Sequence, residues 1–186
     1  MSLEPDSELE SEVFEHESFR GLDLSGIRTV NCTFTACDFT LARLNGSEHV
    51  GSDFANSKLD SAYLFGASFE QCRLLGCDFT AATLTGITIA GGDLSYALLR
   101  NHDLTGLDLR GIKAQQLDLS GSDLSDADLR GADLSYAIVH GATLCRADLR
   151  DANLDGVLLS AANVEETALD LAGAVQLARS LGATVE

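Results

Sequence analysis

The chain has 186 residues, and 29 acids against 12 Lys and Arg give it a formal net charge of −17. That balance excludes a protein that grips nucleic acid through a basic surface, and favours a basic protein partner or simple solubility. The length suits one domain, and no stretch reads as a membrane span or a signal peptide.

Residues 1–12 are acidic and polar, and Met1 to Phe19 carries seven acids and no base. The segment reads as a disordered tail. Residues 13–169 follow a strict repeat. From Phe14 to Val164 in steps of five, 28 of 31 positions are Leu, Phe, Ile or Val; Thr29, His49 and Ala114 depart. Two residues before each lies a second register, Glu12 to Ala162, in which 28 of 31 positions are small or aliphatic; Glu12, Glu17 and His102 depart.

A period of five fits neither common element. On an α-helix it rotates each apolar residue by about 140° from the last. On a flat strand it alternates faces. It works if the backbone turns a corner every five residues, so that four sides make a 20-residue coil with every large apolar residue pointing at one axis. Each coil then buries its apolar set against its neighbours, which makes a solenoid. About eight coils at roughly 4.8 Å give a rod of roughly 40 Å. Most of the 17 Gly fall two places after the large apolar residue, as Gly86, Gly106, Gly121 and Gly141 do, where a corner calls for positive φ. The single Pro, Pro5, lies outside the repeat, as a hydrogen-bonded ladder requires.

In such a coil, residues i and i+20 are neighbours. One column reads Asp53, Arg73, Asp93, Lys113, Asp133; others read Asp38, Lys58, Asp78 and Asp126, Arg146, Glu166. Asp108, Asp128 and Asp148 stack beside Arg110, Arg130 and Arg150. Alternating signs support the 20-residue coil independently of the apolar register, and paired surface charges contribute about 0–1 kcal/mol each. Acidity concentrates late in the chain: residues 103–186 hold fourteen acids and six bases, residues 20–102 eight and six. Asp103, Asp118, Asp123 and Asp155 find no cation in their columns and form the candidate acidic partner-binding surface.

Cys32, Cys37, Cys72 and Cys77 occupy the inward small register, where Cys acts as a small hydrophobe. Cys32 and Cys72 lie two coils apart, about 10 Å, too far for a disulfide. Free thiols point to a reducing, cytoplasmic compartment. His49 and His102 fall at inward positions and read as core histidines, whereas His16 and His140 point outward. There is no paired nucleophile and base, no glycine-rich phosphate loop and no metal-ligand cluster, so neither enzyme, cofactor nor metal is expected.

Beyond residue 169 the period changes. In residues 170–186, Leu171, Ala174, Val175, Ala178 and Leu181 follow helical spacing, with Arg179 in the last turn and Gly182 placed to end it. Thr167 to Asp170 reads as a capping box with Asp for the usual Glu. Such a helix would cap the open solenoid end, and its other apolar residues, Leu177 included, are free to cover a second copy.

Runs such as Ala127-Asp128-Leu129-Arg130-Gly131 and Ala147-Asp148-Leu149-Arg150 resemble the A-(D/N)-L-x-x motif of the pentapeptide-repeat family. Phe69-Glu70-Gln71-Cys72 with Leu75-Gly76, Asn101-His102-Asp103-Leu104 with Gly106-Leu107, and the helical tail are similar to its mycobacterial and Qnr-type members. The resemblance implies an all-β, right-handed quadrilateral parallel β-helix with a C-terminal α-helix. It also implies a duplex-DNA mimic that binds and inhibits DNA gyrase and protects it from fluoroquinolones. A head-to-head homodimer would form through Leu171, Val175, Leu177, Ala178 and Leu181, with neither nucleic acid nor membrane as partner. The alternative is a scaffolding solenoid whose partner is unrelated to DNA.

Overall fold

The computed structural model describes residues 3–185, which fall into two compact units, one ending at Leu98 and one starting at Leu99. Each is a quadrilateral parallel β-helix.

In the first unit, β1 (Glu8–Glu10), β3 (Arg28–Val30), β5 (Glu48–Val50), β6 (Ser68–Glu70) and β7 (Thr88–Ala90) stack as one parallel sheet, and β2 (Val13–Glu15) pairs with β4 (Thr33–Thr35). Every pairing joins residues 20 apart, Leu9 to Thr29 to His49 to Phe69 to Ile89. The remaining sides join through single-residue parallel bridges such as Asp53↔Arg73 and Lys58↔Asp78. Three-residue strands follow from the period: five residues leave one short extended stretch between corners.

The corner residue carries a left-handed φ whatever its identity, Leu41 at +61° and Asn56 at +59°. A non-glycine residue there costs about 1 kcal/mol or more. The ladder offsets this, since the corner N–H donates to the next coil, as Leu41 does to the Asp60 carbonyl at 3.1 Å. Gly92 (φ +86°), in the small register next to the corner Gly91, must also be glycine, because the Cys72 carbonyl lies where a Cβ would stand.

The core of this unit is aromatic. Phe14, Phe34 and Phe54 stack at centroid distances of 5.1 and 4.9 Å, and Phe19 stacks on Phe39 at 4.9 Å. The small register has a hydrogen-bonding task. The Ser57 hydroxyl donates to the Phe34 carbonyl (2.5 Å) and the Cys77 thiol to the Phe54 carbonyl (2.9 Å). Cys and Ser interchange there because both are small and both donate. Cys32, Cys37, Cys72 and Cys77 are free and buried, and burial pushes the Cys77 thiol up to about 12.

One expectation changes in this unit. Residues 8–10, placed by sequence in a disordered tail, form β1, and Leu9 is buried; the apolar register continues backwards past Phe14 to Leu9. Thr29 and His49, the polar departures from the apolar register, pair in the ladder like their neighbours. His49 Nδ1 meets the Thr29 hydroxyl at 2.8 Å, its Nε2 meets the Ser47 hydroxyl at 2.9 Å, and its ring stacks on Phe69 at 4.7 Å.

The second unit repeats the design with an aliphatic core, in which Leu109, Leu129 and Leu149 lie fully inside. Bridges again join residues 20 apart, Asp103↔Asp123↔Thr143↔Asn163 on one side and Asp108↔Asp128↔Asp148↔Ala168 on the next. It ends in α1 (Leu171–Ser180). The N-cap is Asp170, whose carboxylate accepts from the Gly173 N–H at 2.8 Å, so the sequence-based capping box starting at Thr167 is displaced by three residues. Thr167 donates instead to the Leu144 carbonyl at 2.7 Å, the role Ser57 plays in the first unit.

Candidate partner-binding surface

The carboxylates of the second unit divide by what they touch. Along one side, Arg110, Arg130 and Arg150 each grip the Asp two residues earlier with two nitrogens, at 2.5–2.9 Å. Arg110 and Arg130 also reach the Asp of the next coil at 3.7 and 3.6 Å. The result is a continuous zipper, and the Arg150 guanidinium holds Asp148 down at about 2. Arg146 closes a similar fork on Asp126 at 2.7 Å.

Lysine columns behave otherwise. Among the described residues neither Lys58 nor Lys113 forms an ion pair, although both sit in ladder register with aspartates. Asp133 accepts instead from the Gln115 and Asn153 amides. A planar guanidinium fork matches a neighbouring carboxylate, while an ammonium is a strongly hydrated point charge on a flexible stem.

Of the four sequence candidates, Asp118 is misassigned. It is buried, its carboxylate takes Arg100 Nε and a terminal guanidinium nitrogen at 2.6 Å, and the Ser120 amide and hydroxyl donate to its other oxygen. The missed signal was Arg100, 18 residues away rather than 20, reaching diagonally across the ladder. Asp103 and Asp123 are exposed and bridged in register. Their carboxylates are held by Thr105 and by Ser125, and the Thr105 bonds keep Asp103 below the usual carboxylate range. Asp155 lies apart from them, in a groove of about 640 Å³ beside α1 that also exposes Asp151, Asp170 and Arg179. Sequence spacing could not bring these together, because α1 leaves the five-residue register.

On α1 itself, Leu171 and Leu181 are 82% and 70% exposed, whereas Val175, Leu177 and Ala178 are half-buried. Among the described residues, no group of three or more His, Cys, Asp or Glu is placed to hold a metal ion, and no helix is long and apolar enough to cross a membrane.

A family model for pentapeptide repeats matches this chain over residues 37–74, 50–86, 62–101, 89–126, 115–151 and 140–172. The chain belongs to the pentapeptide-repeat family. Its fold is accordingly the right-handed quadrilateral β-helix with one C-terminal helix. It is 38% identical over 98 residues to the pentapeptide repeat protein MfpA of Mycobacterium tuberculosis, covering 53% of this chain and 54% of the relative. To MfpA of Mycolicibacterium smegmatis it is 51% identical over 45 residues, 24% of each chain. The matches therefore span about half or less of these relatives' lengths. Among solved structures it resembles QnrB1, described as a plasmid-mediated fluoroquinolone resistance protein. The TM-score is 0.72 at 23% identity, over 97% of this chain and 100% of that one. That likeness establishes the shared fold.

Proposed function

We propose that this pentapeptide-repeat protein binds DNA gyrase by imitating duplex DNA, inhibiting the enzyme and protecting it from fluoroquinolones. Family membership and the identity to MfpA support the reading. The observation that carries it is the bridged pair Asp103 and Asp123, exposed and without an ion pair among the described residues, on a unit whose other ladder carboxylates are largely taken up by arginine. Fixed, unneutralised carboxylates on a rigid ladder offer a basic DNA-binding surface what phosphates offer it. The fold asks for no acid at those positions, since Thr143 and Asn163 continue the same column.

The exposed Leu171 and Leu181, with Val175, Leu177 and Ala178, supply the apolar face for a homodimer through α1. The cell compartment in this reading is the cytoplasm, where gyrase acts.

The deciding experiment is supercoiling by purified gyrase with increasing amounts of this protein, with and without a fluoroquinolone, alongside competition between protein and DNA for the enzyme. Inhibition relieved by excess DNA, together with fewer drug-induced cleavage products, is the expected result. Failure to bind gyrase at any salt concentration would remove this reading in favour of a scaffold for an unrelated partner.

A further inference from the structure

Among the described residues, the ladder between successive coils of the second unit breaks its pattern at Ala137 and Val139. Elsewhere in it, one residue of the following coil closes two hydrogen bonds. Ile138, for example, donates its N–H to the Leu117 carbonyl (2.9 Å) and accepts from the Leu119 N–H (2.8 Å). In the same register, Leu158 should serve Ala137 and Val139. Instead Leu159–Ala161 winds into a 3-10 turn, the Leu158 carbonyl accepts from the Ala161 N–H (3.0 Å), and the Gly141 N–H passes on to the Ala161 carbonyl (2.8 Å). Among the described residues, the Val139 N–H and the Ala137 carbonyl are left without partners, although these residues are only 5% and 4% exposed. Buried backbone groups in that state are rare, because each has given up water for nothing. The turn is anchored by α1: Ser160 donates its amide to the Ser180 hydroxyl (3.0 Å) and its hydroxyl to the Ser180 carbonyl (2.8 Å).

The gap opens into a hollow of about 190 Å³ whose walls are Tyr136, Ile138, His140, Leu158 and Ala161. Tyr136 and Leu158 are 64% and 63% exposed, at outward and corner positions where the fold requires no apolar residue. The Tyr136 ring lies over Gly156, where a Cβ would strike it, so the missing side chain fixes where the ring stands.

We propose that this gap binds an extended peptide segment of a partner protein. One residue of the segment donates its N–H to the Ala137 carbonyl, accepts at its own carbonyl from the Val139 N–H, and seats an aliphatic side chain between Tyr136 and Leu158. The donor and acceptor belong to residues two apart on one edge, which is the offset a single extended residue satisfies, as Ile138 does one coil earlier. Main-chain bonds supply affinity and the apolar walls supply preference, as in strand addition to an open sheet edge. The site uses no carboxylate and is independent of the gyrase reading.

The test is a titration of the ¹⁵N-labelled full chain with the blocked tripeptide Ac-Ala-Leu-Ala-NH₂ and with its analogue N-methylated at Leu. The unmethylated peptide should shift the Val139 amide resonance and slow its hydrogen exchange in a saturable way. The analogue, unable to donate to Ala137, should bind about tenfold more weakly. Leu158→Ser, an exposed change, should weaken binding while leaving the circular dichroism spectrum intact, and Asp103→Asn should leave it untouched. Equal binding of both peptides, or no shift at Val139, would overturn the proposal. So would a Val139 amide already protected in the free protein and in contact with a long-lived water, which would mean that water alone fills the gap.

Discussion

His49 shows how one polar residue is kept in an apolar column. Thr29 and Ser47 satisfy both ring nitrogens, and Phe54 and Phe69 enclose the ring. Burial pushes its pKa from 6.5 down to about 3. Between those values the unfolded chain binds a proton that the native chain does not. This contribution to stability is therefore intact above about pH 6.5 and is lost as pH falls toward 3, at about 1.4 kcal/mol per unit. Urea unfolding at pH 7 and pH 4.5 should show a smaller loss on acidification in His49→Phe than in the parent; equal losses would contradict the buried neutral ring. At another core position, Leu129→Ala should cost about 2–5 kcal/mol, because Leu109 and Leu149 cannot close over the cavity. Ser125→Ala, at the surface, should cost little. Melting curves of the two variants compare them directly.

At the scale of the element, α1 is held at both ends. Asp170 caps its first turn and also accepts from the Asp151 N–H at 2.9 Å, while Ser180 holds Ser160. Asp170→Ala should destabilise the protein by about 1 kcal/mol, the ordinary cost of a lost N-cap, with the amides of α1 losing exchange protection before those of the ladder. Leu171 and Leu181 stay exposed on the seated helix. If the proposed dimer forms through α1, replacing Leu171 and Leu181 together by Glu should weaken self-association in sedimentation while the β-helix spectrum stays intact. If the variant unfolds, those leucines serve the fold, and if the parent is monomeric at high micromolar concentration the dimer is excluded.

For the molecule as a whole, the net charge of −17 is unevenly committed. Arginine forks neutralise one set of carboxylates locally, and Asp103 and Asp123 project their field outward. Attraction to a basic partner is screened over about 8–10 Å at physiological salt, so the binding to gyrase proposed above should weaken as salt rises. Asp103→Asn with Asp123→Asn should lower affinity and flatten that salt dependence without changing the melting temperature. Asp118→Asn should do the reverse, lowering stability by leaving Arg100 with a weaker partner while affecting affinity less. Identical salt profiles for the double variant and the parent would contradict the electrostatic reading.

Much of this protein can be read from its primary structure because a solenoid converts sequence period directly into space. The period of five sets the inward residues, the period of 20 sets the neighbours, and the arginine ladders follow from the same two periods. The strand at Glu8–Glu10 was hidden because its flanking acids resemble a solvated tail, while Leu9 alone carries the register. Tertiary structure decided whatever departs from the period. The Arg100–Asp118 pair runs diagonally, Asp155 shares a groove with Asp170 and Arg179 of a helix outside the register, and the Leu159–Ala161 turn leaves the Val139 N–H unpaired. In each case a side-chain reach or an end contact, rather than the repeat, sets the geometry, and neither has a signature at a fixed spacing.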